Sequence, residues 1–142
     1  MSKANEAVEC FNSGFNCAQS IFSAYCEEFG LDKKTALKLS CGFGAGMGRL
    51  GETCGAVTGA YLLIGLMHGK CSEGDNQPKE TTYELVQEFS KRFKERNGTT
   101  VCRDLVKADF LSGDQKTALA QVNRICPGLI RDACEIIEEL LL

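Results

Sequence analysis

The sequence predicts an all-α protein: a compact single-domain helical bundle over residues 1–142, arranged around a central apolar helix at about residues 54–69. Three observations predict it. Apolar residues recur at three- and four-residue spacing along most of the chain, and no segment keeps the alternation of a half-buried strand. One stretch, AVTGAYLLIGLM, is uncharged and apolar nearly all the way round, which marks a helix buried on every side. With Thr53 as N-cap, Cys54 as first helical residue and Gly69 as stop, this helix is about 24 Å long at about 1.5 Å per residue. A bilayer core needs about 30 Å, so the helix belongs inside a domain. Gly51, Gly55 and Gly59, spaced by four, let neighbouring helices approach closely.

The remaining elements follow in order. Lys3 to Ser13 carries Ala4, Ala7, Val8 and Phe11 at helical spacing, with Cys10 on its flank. Asn16 caps a helix over Cys17–Phe29 and Gly30 stops it; Asp32 caps a shorter one through Leu37 and Leu39 to Ser40. Gly42 to Gly51 is a glycine-rich loop. It contains a GxGxxG string from Gly46 to Gly51, but no strand precedes it, so it reads as a tight turn rather than a nucleotide cradle. After a polar loop with Cys71, Pro78 opens a long charged helix to Asn97, with Leu85, Val86, Phe89 and Phe93 as its buried stripe. Thr99 or Thr100 caps a short turn over Cys102 to Leu105. Asp114 caps a helix to Arg124, and Cys126-Pro127 opens a separate C-terminal helix with Leu129, Ile130, Ala133, Ile136, Ile137 and Leu140 inside. Phe15, Phe22, Phe89 and Phe93 are expected in the core.

Composition narrows the functional classes. A chain of 142 residues buries a sizeable core without external staples. Net charge is -3 with Lys and Arg scattered, which argues against nucleic acid or an anionic membrane as partner. The opening, MSKANEAVECFNSGF, has no apolar run of signal-peptide length. Nine cysteines, an odd number without an export signal, point to a reduced cytoplasmic protein with functional thiols rather than a disulfide framework.

On this helix map the cysteines divide. Cys17, Cys54, Cys102 and Cys126 each fall in the first turn of an expected helix, where free N–H groups and the helix dipole favour thiolate. Cys10, Cys26 and Cys134 sit within helices as small hydrophobes, Cys41 lies at a helix end, and Cys71 is in a loop. Cys54, beside the glycine-rich loop, is the expected attacking thiol, with Arg49 favouring its thiolate and Glu52 opposing it. The lone His68 suits packing or capping, and Glu27-Glu28 and Glu138-Glu139 suit solvated faces.

The strings Asn16-Cys17-Ala18-Gln19, Gly51-Glu52-Thr53-Cys54-Gly55-Ala56-Val57-Thr58-Gly59, Val101-Cys102-Arg103-Asp104-Leu105 and Cys126-Pro127 together resemble the redox-active family named C_GCAxxG_C_C. That family is defined by four cysteines and a CGAxxG motif, matched here by Cys54-Gly55-Ala56 and Gly59. The resemblance covers essentially the whole chain. It implies redox activity for Cys17, Cys54, Cys102 and Cys126. A similar domain occurs in split-Soret cytochromes, where an iron–sulfur centre accompanies the haems; with no CxxCH, covalent haem is not expected here.

Three readings stay open. The first is a thiol-dependent oxidoreductase using reversible disulfides among the four cysteines, with a redox partner protein or a small thiol or disulfide as counterpart. The second makes the same four residues ligands of an iron–sulfur cluster or, less readily without CxxC knuckles, zinc. The third is a non-catalytic interaction domain. Leu140-Leu141-Leu142 is either exposed apolar chain or a homodimer contact.

Overall fold

Short polar side chains cap half of the α-helix starts. Asn16 Oδ1 accepts from the amide of Gln19, and Gln19 Oε1 accepts from the amide of Asn16, a closed capping box. Asp32 caps by accepting from the Thr35 amide and Asp114 by accepting from the Lys116 amide. Gly30 and Gly98 end their helices in the left-handed conformation that only glycine adopts freely. The computed structural model describes residues 2–142 and contains α1 (Lys3–Asn12), α2 (Cys17–Tyr25), α3 (Lys33–Ser40), α4 (Gly44–Met47), α5 (Gly55–His68), α6 (Gln77–Asn97), α7 (Cys102–Val106) and α8 (Gln115–Leu141). Two 3-10 turns, Cys26–Phe29 and Cys41–Phe43, extend α2 and α3. The described residues form no strand; Thr53 and Val101 make one isolated antiparallel bridge. No helix among them is long and apolar enough to cross a membrane.

The expected all-α architecture with α5 at its centre is what the structure has. Ala56, Val57, Ala60, Leu63 and Ile64 are fully buried, and α5 packs most extensively on α2, then on α6 and α8. Glycine makes the α2–α5 contact possible. A Cβ on Gly55 would lie 3.0 Å from the Ala18 amide nitrogen, and one on Gly59 would lie 2.9 Å from the Ala18 carbonyl oxygen. On the opposite side Tyr61 meets Phe89 edge-on and Phe89 stacks on Phe93, both pairs at 6.1 Å between ring centroids.

Four expectations are corrected. Asp114–Arg124 and the Cys126-Pro127 segment form a single helix, with Pro127 inside it. An internal proline costs about 3 kcal/mol. Leu129, Ile130, Ile136 and Ile137, all buried beyond it, each return about 1.5–3 kcal/mol, so continuing the helix wins. Cys126 therefore sits mid-helix and not at an N-terminus. Cys54 is the cap residue of α5 rather than its first helical residue, because Thr53 is held extended by its bridge to Val101. The α-helix from Cys17 ends at Tyr25, and Cys26 to Phe29 tighten into a 3-10 turn. Phe15 is 39% exposed, since it lies in the link before the Asn16 cap rather than on a helix face.

Replacing Gly59 with Ala is expected to destabilise the protein by about 1–3 kcal/mol, because backbone of α2 blocks the new methyl. Gly65, in the same helix, has open space where its Cβ would go; Gly65→Ala is expected to stabilise by about 0.5–1 kcal/mol. Urea unfolding of both variants checks the pair, and a Gly59→Ala protein as stable as wild type contradicts the close approach.

Candidate functional site

Three separate pieces of backbone bring the four cysteines of interest to one end of the bundle. Cys17 is the first residue of α2, behind the Asn16–Gln19 box. That box is tied outward: Asn16 Nδ2 donates to the Cys41 carbonyl at 2.9 Å, and Gln19 Nε2 donates to the Leu37 carbonyl at 3.0 Å. Gly44 lies so close to Asn16 that a Cβ there would sit 2.3 Å from its side chain. Cys54 and Cys102 flank the Thr53–Val101 bridge. The Cys54 amide donates to the Thr100 carbonyl at 2.8 Å, and the Cys102 amide donates to the Glu52 carbonyl. Cys126 comes from the middle of α8 and lines the same pocket as Cys17.

The glycine-rich loop is the packing that holds this end shut. Ala45, Met47 and Arg49 all have positive φ, at 53°, 72° and 72°, a conformation that costs a non-glycine residue about 1–2 kcal/mol. Backbone bonds from Gly48 to Gly44, Gly51 to Ala45 and Glu52 to Gly46 hold them there. Gly46 has no room for a side chain: a Cβ would lie 2.6 Å from the Glu52 amide nitrogen and 2.7 Å from Cys102 Cβ. The GxGxxG string is thus a turn folded against a cysteine, as expected.

All nine cysteines are free thiols here. Cys17, Cys54, Cys102 and Cys126 are buried, at 7%, 3%, 5% and 3% exposure. Cys17, Cys102 and Cys126 line a pocket of about 460 Å³, together with Arg49, Phe15 and Asn123 among others; Cys54 does not line it. Cys10 is half-buried, Cys26 and Cys134 are buried away from this pocket, and Cys41 and Cys71 are exposed.

Burial reverses the electrostatics expected from helix starts. The interaction with Cys126, then burial, push the Cys17 thiol well above its ordinary value. The amides of Ala56 and Val57 do pull Cys54 down, as a helix N-terminus should, but burial and the neighbouring Cys17 push it up and win. Burial, then Cys17, push Cys102 up to about 12. Arg49 is exposed at the pocket, and Cys54 responds to the cysteines around it and not to Arg49 or Glu52. These thiols are held protonated at neutral pH.

Residues 15–140 match the family model described as "Putative redox-active protein (C_GCAxxG_C_C)". The chain belongs to this family. No curated protein and no solved structure matches it. In this C_GCAxxG_C_C protein the motif glycines have a steric reason. Gly55 sits against Cys17 Cβ, where a Cβ would be 3.2 Å away, and Gly59 repeats the approach one turn later at Ile21 Cβ, at 3.0 Å. The motif sets the α2–α5 distance at which Cys17 and Cys54 become neighbours.

Four thiols are suitable donors for an iron–sulfur cluster or zinc. Among the described residues, however, no three Cys, His, Asp or Glu side chains are grouped so as to hold a metal ion. The geometry instead offers a thiol pair. Sequence reasoning missed the rest of the pocket, notably Gln115, Leu119, Val122 and Asn123, which share one face of α8 with Cys126. Their spacing was the available signal, hidden by the helix break assumed at Pro127.

The raised thiols make stability pH-dependent in a defined direction. A thiol whose folded value lies above its ordinary 9.0 contributes stability that is full below that value and is lost as pH rises, up to about 12 for Cys102. Stability of the reduced protein is expected to fall between pH 9 and 11, by up to about 1.4 kcal/mol per pH unit for each such thiol. Thermal melts across this range check it, and Cys102→Ser should flatten the fall.

Proposed function

We propose that this protein is a thiol-dependent oxidoreductase whose redox group is the Cys17–Cys126 pair. The observation that carries this reading is that Cys17 and Cys126 line one pocket together, with Cys126 the strongest influence on the Cys17 thiol. Oxidation joins the two Sγ atoms, releasing two protons and two electrons to an acceptor; reduction reverses it. Cys54 and Cys102 stand next to Cys17, close enough to raise or feel its charge, and serve as a reserve that protects or resolves the pair.

The raised thiols give the couple its character. A low thiol pKa stabilises the reduced form and makes a disulfide strongly oxidising; raised values remove that stabilisation and leave a reducing couple. Its exchange is slow at neutral pH unless a partner or substrate excludes water and takes the proton. The absence of a metal-holding group among the described residues favours this reading over a four-cysteine cluster.

Mild oxidation with diamide under anaerobic conditions, followed by peptide mapping, is expected to give a Cys17–Cys126 linked peptide. Cys126→Ser should abolish it, while Cys102→Ser should leave it in place. Near-stoichiometric iron and acid-labile sulfide in anaerobically purified protein would overturn the dithiol reading and make the four cysteines cluster ligands.

A further inference from the structure

The pocket beside Cys17 and Cys126 has its own chemistry, apart from the thiols. Its wall is mainly apolar, with Phe11, Phe15, Phe110, Leu119 and Val122, and at about 460 Å³ it falls in the range of small-molecule sites. A single cationic side chain, Arg49, belongs to the lining. Arg49 makes no ion pair with any carboxylate of the described residues. It is also held at φ 72° in the strained turn that packs on Cys102. Strain kept at a pocket wall, on a charged residue with no protein partner, is the kind of local cost that persists where a ligand uses the group.

Resting on the dithiol reading above, we propose that this pocket takes a low-molecular-weight dithiol, or its cyclic disulfide, on an aliphatic body ending in a carboxylate. The apolar wall holds the aliphatic body, Arg49 pairs with the carboxylate, and the sulfur end reaches Cys17 and Cys126. Thiols of the glutathione kind also carry carboxylates, but they are hydrophilic throughout and do not match the apolar wall. A protein partner meets the Cys17–Cys126 pair less easily, because both residues are buried.

The exchange balances without a further reactant. Starting from oxidised protein, a substrate thiolate attacks Cys17 Sγ, and the Cys17–Cys126 bond breaks. Cys126 Sγ leaves with the bonding pair and takes up a proton. The second substrate thiolate then attacks the substrate sulfur of the mixed disulfide and closes the cyclic disulfide. Cys17 Sγ leaves and is protonated. The substrate has lost two electrons and two protons, and the protein has gained both.

The test is single-turnover reduction of diamide-oxidised protein, with its Cys17–Cys126 bond first verified by mass. Dihydrolipoate is compared with its uncharged amide, with glutathione and with dithiothreitol. Dihydrolipoate is expected to show saturation, with a half-saturating concentration about tenfold below that of the amide, as expected for one charge-assisted contact. Arg49→Gln, at an exposed position, should erase that difference. Glutathione and dithiothreitol should react without saturation. If the verified disulfide reacts with all four without saturation, or Arg49→Gln changes nothing, this substrate class is wrong while the dithiol couple stands. If the Cys17–Cys126 bond never forms, both are wrong.

Discussion

The close approach of α5 to α2 fixes the geometry of the cysteine end of the molecule. Gly55 and Gly59 let α5 lie against the first two turns of α2 at a distance no side chain permits. Cys17 starts α2 and Cys54 caps α5, so the same contact that fixes the helix pair makes these two residues neighbours. Cys102 is then added through the paired backbone of residues 52–54 and 100–102, and Cys126 through the middle of α8. Core packing and site geometry are one constraint here.

Two opposing effects act on those thiols, and their sizes decide the function. A helix N-terminus favours charge by about 0.3–1 kcal/mol when exposed. Removing a thiolate from water costs considerably more, as the raised Cys17, Cys54 and Cys102 show. Burial is the largest effect at Cys54 and Cys102, and at Cys17 it adds to the larger influence of Cys126. Buried, protonated thiols of this kind lack the fast thiolate attack of an exposed low-pKa cysteine.

Features carried by local chemistry were legible in the sequence. The Asn16, Asp32 and Asp114 caps, the Gly30 and Gly98 stops, the buried face of α6 and the central apolar helix all depend on residues within a few positions of one another. The identity of the four gathered cysteines was legible through the family motif as well. What escaped was non-local. Nothing near Thr53 announces its bridge to Val101, nearly fifty residues on, and that bridge decides that Cys54 caps rather than opens α5. Pro127 has the local signature of a helix start; only burial on both sides of it keeps α8 continuous and sets Cys126 in one pocket with Cys17. The thiol pKa direction was misjudged for the same reason, because position along a helix is written in the sequence and depth below the surface is not.

A redox titration of the Cys17–Cys126 couple between pH 6 and pH 8 tests the central claim most directly. A protonated thiol pair exchanging two electrons with two protons has a midpoint potential that falls by about 59 mV per pH unit across that range, with a two-electron Nernst slope. A slope that breaks to about 30 mV per unit inside the range would mean that one thiol is already ionised. A one-electron transition would contradict the dithiol altogether.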